Sequence, residues 1–133
     1  MTFVDTNILV YSLLAEQAPA KHAIAVSLLA EGGFLISTQV VNEMASVLRS
    51  KAKISERELL RIVEDLFSLF DVVESNSDDI LTAFDLRARY NFSYWDSLMV
   101  ATALRSGADD FLTEDLQDGL VIDDPLMIRN PFA

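Results

Sequence analysis

The sequence predicts one α/β domain spanning residues 1–133, doubly wound around a mostly parallel sheet of four to five strands. Short apolar runs of strand length alternate with segments of helical length, a pattern typical of βαβ units. The length suits a single domain and is sufficient to bury a core. Hydrophobic residues make up 51% of the chain, with only four Gly and three Pro, which indicates a globular protein.

The strands are predicted where short apolar runs are bounded by polar or turn residues. They are TFVD (2–5), FLIS (34–37), DVVE (71–74) and DFLT (110–113), with LVID (120–123) as an additional short edge strand. The carboxyl ends of parallel strands meet at one edge of the sheet, where ligands bind in folds of this kind.

The helices between them are predicted from start and stop signals. Thr38 and Ser77 are expected to be N-caps, and Ser55 with Glu58 resembles a capping box. Pro19 fits a first helical turn, and Gly107 ends the last helix. The predicted helices cover 6–15, 20–31, 39–52, 56–70, 78–90 and 94–107.

Composition limits the possible functions. The net charge of -11 taken alone argues against nucleic-acid binding, because phosphate contacts rest on Lys and Arg. The chain has no Cys, which excludes disulfides and thiolate chemistry and suits a cytoplasmic protein. We expect neither a signal peptide nor a membrane segment, since Asp5 comes early and no apolar run reaches about 18 residues.

Four acidic residues lie at element ends or core margins. Asp5 ends the first predicted strand, and Asp115 follows the strand 110–113. Glu43 lies beside the apolar face of its helix, where a carboxylate either points along the core toward a cleft or is simply partly solvated. Asp96 begins the apolar helix LMVATAL, where it is either a ligand or an N-terminal capping partner of Ser93.

A metal ion would explain the four acids together. Clustered carboxylates raise one another's pKa values, and a hard divalent cation removes that penalty. Mg²⁺ and Mn²⁺ prefer oxygen ligands and use substrate phosphates as further ligands. The sequence therefore predicts a site for phosphoryl chemistry with Mg²⁺, or Mn²⁺, at the strand ends.

The motifs FVDTNILVY, STQVVNEM, FSYWDSLMVATAL, FLTEDLQDG and the terminal NPF resemble a PIN domain across essentially the whole chain. More narrowly, they are similar to the VapC-type ribonuclease toxins of type II toxin–antitoxin systems. The resemblance implies a Rossmann-like, three-layer α/β/α fold. It also implies a Mg²⁺- or Mn²⁺-dependent endoribonuclease that hydrolyses RNA with metal-activated water.

The resemblance also assigns residues. Asp5 and Asp96 correspond to the principal metal ligands, while Glu43 and Asp115 complete the acidic set, with Glu114 as an alternative to Asp115. Three neighbouring polar residues are expected to orient carboxylates or contact the scissile phosphate: Thr6, Asn7 and Thr113. For Thr6, a backbone-capping hydroxyl is an equal alternative.

Partners follow from the same resemblance. The family implies a structured RNA substrate such as tRNA or rRNA, a cognate antitoxin that inserts a basic side chain into the acidic site, and a homodimer. Two basic groups are either RNA contacts or solvated faces. They are Arg49, Lys51, Lys53, Arg57 and Arg61 in one group, and Arg87 and Arg89 in the other.

Two other functions are compatible with the acids. One is a Mg²⁺-dependent phosphatase or phosphotransferase with Asp5 as nucleophile. It commonly needs a second acid two residues later, where this chain has Asn7. The other is a non-catalytic acidic binding module.

Overall fold

A computed structural model describes residues 1–123 and 125–133. Its strands are β1 (Thr2–Val4), β2 (Phe34–Ser37), β3 (Asp71–Val73), β4 (Asp110–Leu112), β5 (Val121–Ile122) and β6 (Leu126–Arg129). Its helices are α1 (Thr6–Leu13), α2 (Pro19–Leu29), α3 (Thr38–Lys51), α4 (Glu56–Leu69), α5 (Ser77–Tyr90) and α6 (Tyr94–Arg105).

The strands form one six-stranded sheet in the order β3-β2-β1-β4-β6-β5. All neighbouring pairs are parallel except β5 and β6. The predicted α/β class with a mostly parallel sheet is therefore confirmed. The chain leaves β1 toward β2 on one side, whereas β4 pairs with β1 on the other. This change of direction opens a crevice at the carboxyl ends of β1 and β4, the position where such sheets bind ligands.

The sheet has one strand more than the four to five predicted. The additional strand is β6, which lies between β4 and the predicted edge strand β5. Leu126 and Ile128 are buried and alternate with less buried neighbours, as in a strand with one covered face. The sequence did not predict β6, because four residues give only a short alternating pattern. The strand forms by pairing with β4, a contact that local sequence does not reveal.

Helix starts agree with the sequence to within one residue. Ser55 and Ser93 cap α4 and α6, as predicted. The prediction of Thr38 and Ser77 as caps is wrong by one position, because Ser37 accepts from the Val40 N–H and Asn76 from the Asp79 N–H. Gly107, at φ +75°, follows α6 in a conformation that glycine adopts without strain.

The core lies on both sides of the sheet. Phe3 of β1 stacks on Phe111 of β4, with ring centroids 5.1 Å apart. The helices pack in two groups, α1 to α4 and α5 with α6, which is consistent with three layers. Residues Ser97 to Ala103 of α6 are all buried, as its apolar sequence predicts. No helix among the described residues is long and apolar enough to cross a membrane.

Candidate functional site

Asp5 stands at the turn from β1 into α1. Its N–H extends the strand pairing by donating to the Leu112 carbonyl at 3.0 Å. Its side chain is the N-cap of α1, because Oδ1 accepts from the Thr6 N–H at 2.6 Å. Oδ2 accepts from the Thr113 hydroxyl at 2.7 Å, and the residue is only 5% exposed. Asp5 is therefore held rigidly at the centre of the crevice.

The segment after β4 brings Asp115 to the same edge. The Thr113 hydroxyl donates to Asp5 and accepts from the Asp115 N–H at 3.0 Å, so one side chain connects both acids. Asn7 Nδ2 donates to Asp115 Oδ2 at 3.3 Å from the first turn of α1. The predicted polar neighbours Asn7 and Thr113 thus contact carboxylates.

Glu43 reaches the crevice from α3. Its Oε1 accepts from the Thr6 hydroxyl at 2.8 Å, and its Oε2 accepts from Gln39 Nε2 at 3.1 Å. Thr6 therefore contacts the acid of another element with its hydroxyl, while its backbone N–H contacts Asp5. The sequence reasoning missed Gln39. The available signal was its position one helical turn before Glu43, a spacing that places both side chains on one face.

Asp96 faces the same region from the first turn of α6. Its N–H donates to the Ser93 hydroxyl at 3.1 Å, so Ser93 caps α6 as predicted, with the backbone of Asp96 as its partner. The carboxylate is half-buried and lines a pocket of about 370 Å³ together with Asp115. Burial raises its pKa, hydrogen bonding with Ser93 partly lowers it, and repulsion from Asp115 and Glu43 raises it further. The cap and the acidic cluster therefore share this residue.

The pKa of Asp5 is raised by its burial and by repulsion from neighbouring acids. Burial raises the pKa of Asp5 from 3.8 to about 7. The hydrogen bonds that Asp5 accepts from the Thr113 hydroxyl and the Thr6 N–H lower its pKa and partly offset burial. Repulsion from Asp115, and to a smaller extent from Asp96, raises the pKa further. No Lys, Arg or His among the described residues forms an ion pair with Asp5.

Glu114 has a different environment from its neighbour Asp115. It accepts a short hydrogen bond from the Tyr11 hydroxyl and one from Lys21 Nζ at 2.6 Å. Lys21 also lies over the rings of Tyr11 and Phe132, at 5.1 and 5.5 Å from their centroids. Burial raises the pKa of Glu114, but Lys21 and Tyr11 outweigh it, and the pKa lies below its ordinary value. Of the two candidates, Asp115 is the one that interacts with Asp5 and Asp96.

Metal-binding geometry is not preformed. In residues 1–123 and 125–133, no three or more His, Cys, Asp or Glu side chains are grouped so as to hold a metal ion. The acids do interact through their charges, since Asp115 raises the pKa of both Asp5 and Asp96, and Glu43 raises that of Asp96.

The basic groups noted in the sequence are on the surface. Arg49 pairs with Glu56, and Arg89 pairs with Asp85 and Asp123. The other members of both groups are exposed: Lys51, Lys53, Arg57, Arg61 and Arg87.

His22 binds the Tyr11 carbonyl through Nδ1 at 2.8 Å within the α1–α2 region.

A mostly parallel α/β sheet with acidic side chains at the carboxyl ends of β1 and β4 is typical of doubly wound domains that bind a ligand at this edge. The chain belongs to the PIN domain family, whose model matches residues 2–117. The resemblance seen in DTN, VVNEM, SYWD and LTED is thereby confirmed. No curated protein matches the sequence significantly.

Solved structures share the fold at low sequence identity. VapC20 from Mycobacterium tuberculosis, a toxin that cleaves the sarcin-ricin loop, is 20% identical over 84% of this chain and 87% of its own, with a TM-score of 0.70. A toxin–antitoxin complex from Klebsiella pneumoniae is 19% identical over 98% of both chains, with a TM-score of 0.72. VapBC2 from Rickettsia felis, bound to promoter DNA, is 18% identical over 97% of both, with a TM-score of 0.68.

Proposed function

We propose that this PIN domain protein is a divalent-metal-dependent endoribonuclease and the toxin of a toxin–antitoxin pair. One observation carries the proposal. Asp5 is a buried carboxylate without an ion-pair partner in the described part of the chain, and Asp96 and Asp115 repel it from the same crevice. A buried charge is costly unless an opposite charge balances it. A cation in the crevice is the simplest balance.

The residues fit Mg²⁺ or Mn²⁺ by the chemistry of their donors. All four acids offer carboxylate oxygens, the ligands preferred by hard divalent cations. We assign Asp5 and Asp96 as the principal ligands, with Glu43 and Asp115 completing the site. When bound, the cation would lower the pKa of water for attack on phosphorus and neutralise charge on the phosphate.

The polar neighbours then have defined tasks. Thr113 fixes Oδ2 of Asp5, Thr6 fixes Oε1 of Glu43, and Asn7 fixes Oδ2 of Asp115. In each of the three pairs, the carboxylate keeps free lone pairs that a cation could use, because a carboxylate accepts about four hydrogen bonds. Such contacts orient ligands and typically matter by about 10- to 100-fold in metal affinity or activity.

RNA is the proposed substrate. This part of the proposal is supported by membership of the PIN family and by the fold shared with VapC20, a toxin that cleaves the sarcin-ricin loop. A structured RNA such as tRNA or rRNA is expected. The acidic net charge predicts weak non-specific affinity, so selectivity would come from RNA shape and unpaired bases. The proposed location is the cytoplasm.

An antitoxin and a second copy of the chain are the proposed protein partners. The fold is shared with a toxin–antitoxin complex from Klebsiella pneumoniae and with VapBC2. A groove of about 590 Å³ between α1, α2 and α4 is lined largely by apolar side chains, including the exposed Leu13 and Leu69. We propose that the antitoxin covers this groove.

Nothing in the site favours the two other functions. Both Asp5 oxygens accept hydrogen bonds and the residue is almost fully buried, which disfavours it as a nucleophile. Phosphatases of this kind also commonly use a Lys late in the chain, and the last Lys here is Lys53. A non-catalytic binding module does not explain why a buried carboxylate, Asp5, is held in place without an ion-pair partner among the described residues.

The test is cleavage by purified, antitoxin-free protein of total cellular RNA and of single-stranded DNA. Discrete RNA fragments are expected with Mg²⁺ or Mn²⁺ and not with EDTA, and Asp96→Asn should lose at least about 100-fold in rate. Sequencing of the fragment ends would identify the target.

A matched control is Asp78→Asn, which removes the same charge from an exposed position in the first turn of α5. It should keep wild-type activity. Equal losses in both variants would mean that net charge, and not the site, governs cleavage. Cleavage that persists in EDTA or in Asp96→Asn would overturn the metal-dependent mechanism.

A further inference from the structure

A second pocket lies beside the acidic crevice and is not used by the mechanism above. It has a volume of about 490 Å³, within the range of small-molecule sites. Its walls come from the first half of α3, from Ser75 after β3 and from the start of α6. Glu43 lines it and also binds Thr6 beside Asp5, so pocket and crevice share a wall.

The walls combine apolar surface, to which Trp95 and Leu98 contribute, with several uncharged polar groups. Hydroxyl and amide groups come from Thr38, Gln39, Asn42, Ser46 and Ser75. Among the residues that the structure describes, Glu43 is the one charged side chain in the lining. A phosphate would need cations there. Amides and hydroxyls instead match the donor and acceptor edges of a nucleobase.

An aromatic ring forms the remaining side. Trp95 is 60% exposed although it directly precedes Asp96, and it is the single tryptophan of the chain. Its ring packs edge-on against Tyr94, with centroids 5.1 Å apart. Unpaired RNA bases are commonly bound by stacking on an exposed aromatic ring and by hydrogen bonds to their edges.

Gln39 connects this pocket to the acids. Its Nε2 donates to Glu43 Oε2 and to the Trp95 carbonyl at 2.9 Å, and because both partners are acceptors the amide orientation is fixed. Its Oε1 is then a buried acceptor without a hydrogen-bond partner among the described residues. Such an acceptor is costly, and an N–H group of a bound base is the kind of donor that would satisfy it.

We propose that this pocket binds one unpaired base of the RNA next to the scissile phosphate, with the base stacked on Trp95 and its edge read by Asn42 and Gln39. The inference rests on the proposed ribonuclease function, and it assigns part of the sequence selectivity to this pocket. Trp95 acts on binding, not on the chemical step.

The first experiment measures binding without cleavage. The fluorescence of the single tryptophan is titrated in the Asp5→Asn variant with three probes of equal length: random single-stranded RNA, an RNA duplex, and an abasic ribose-phosphate oligomer. We expect saturable quenching by the single strand only. No quenching by it, or equal quenching by the abasic oligomer, would overturn the proposal. Since this signal needs no catalysis, it stands or fails independently of the nuclease assignment.

The second experiment uses cleavage kinetics and fragment-end sequences. Trp95→Ala should raise KM by about tenfold or more, as expected for loss of a stacked base, with a smaller change in kcat. Trp95→Phe should restore most of the affinity, and Asn42→Ala should relax the preferred base at one position next to the cut.

Phe67→Ala is the matched control, because Phe67 is a similarly exposed aromatic residue of α4, at 53%, that does not line this pocket. It should leave KM and end sequences unchanged. An equal rise in KM for Phe67→Ala would overturn the assignment. So would tryptophan fluorescence that changes with protein concentration in the absence of RNA, because a second copy would then occupy the pocket.

Discussion

Two buried aspartates illustrate opposite uses of a carboxylate in this molecule. Asp79, in the first turn of α5, is 1% exposed and binds the guanidinium of Arg105 through both oxygens, at 2.7 and 3.0 Å. It also accepts from the Thr102 hydroxyl and the Asn76 N–H. Asp5 is also buried, at 5% exposed, but its hydrogen-bond donors among the described residues are two neutral groups, and Asp115 and Asp96 repel it.

Their pKa values move in opposite directions as a result. Burial raises the pKa of Asp79, but the bonds from Arg105, Asn76 and Thr102 outweigh burial, and the pKa falls below its ordinary value. The pKa of Asp5 rises to about 7. The protein therefore supplies every partner that Asp79 needs and leaves Asp5 short of positive charge. This difference separates a carboxylate that stabilises the fold from one whose charge, in the proposed function, a bound cation balances.

The largest expected effect is on the pH dependence of stability without metal. The folded pKa of Asp5 exceeds its unfolded value, so the folded chain binds more protons between about pH 4 and 7 and loses stability as pH rises through that window. The loss attributable to Asp5 approaches about 4 kcal/mol. Chemical denaturation in EDTA at pH 5 and pH 8 captures about 2.5 kcal/mol of this loss, as the difference between wild type and Asp5→Asn.

Asp79→Asn provides the comparison with the opposite sign. The folded pKa of Asp79 is lowered, so its contribution is present above the unfolded pKa and is lost as pH falls below about 4. Removing Asp79 should therefore leave the slope between pH 5 and 8 unchanged. The same slope in wild type and Asp5→Asn would contradict the assignment of the slope to Asp5.

A second prediction concerns Asp79→Asn itself at pH 8. The change leaves Arg105 without its buried partner, and we expect a loss of about 2 kcal/mol in the free energy of unfolding, less than for a fully buried pair because Arg105 is partly exposed. Cleavage measured well below the melting temperature should be unchanged. Asp5→Asn should show the reverse, with activity lost and the free energy of unfolding at pH 8 in EDTA raised. Loss of activity in folded Asp79→Asn would refute the distinction.

The smallest expected effect is at Glu114. Glu114→Gln weakens the contacts with Lys21 and Tyr11 that anchor the backbone between Thr113 and Asp115. We expect kcat/KM to fall by about tenfold, as for other residues that orient a ligand. The free energy of unfolding should change by less than about 1 kcal/mol, since the ion pair is partly exposed. Lys21→Met is the paired variant, because it removes the other side of the same ion pair. If Glu114→Gln lowers kcat/KM and Lys21→Met does not, this anchoring role is excluded.

The sequence predicted those parts of the site that local signals carry. Asp5 and Asp115 could be placed because each follows a short apolar run, and Asp96 because a buried helix begins there. The contacts of Thr6 with Glu43 and of Asn7 with Asp115 could not be predicted, since they join residues 37 and 108 positions apart. The partners of Glu114 were missed for the same reason, because tertiary packing brings Tyr11 and Lys21 to it. Gln39 is different: it lies four residues before Glu43 on the same helix face, and this local spacing was overlooked.

The pairing of β1 with β4 also determines when the acidic crevice can assemble during synthesis. Asp5 leaves the ribosome among the first residues, but the hydroxyl that holds it belongs to Thr113, 108 positions later. Asp96 and Asp115 also come from the last third of the chain. A nascent chain therefore carries an unassembled site through most of translation. Under the proposed function, an antitoxin would have that interval in which to bind the earlier helices before the proposed ribonuclease site is assembled.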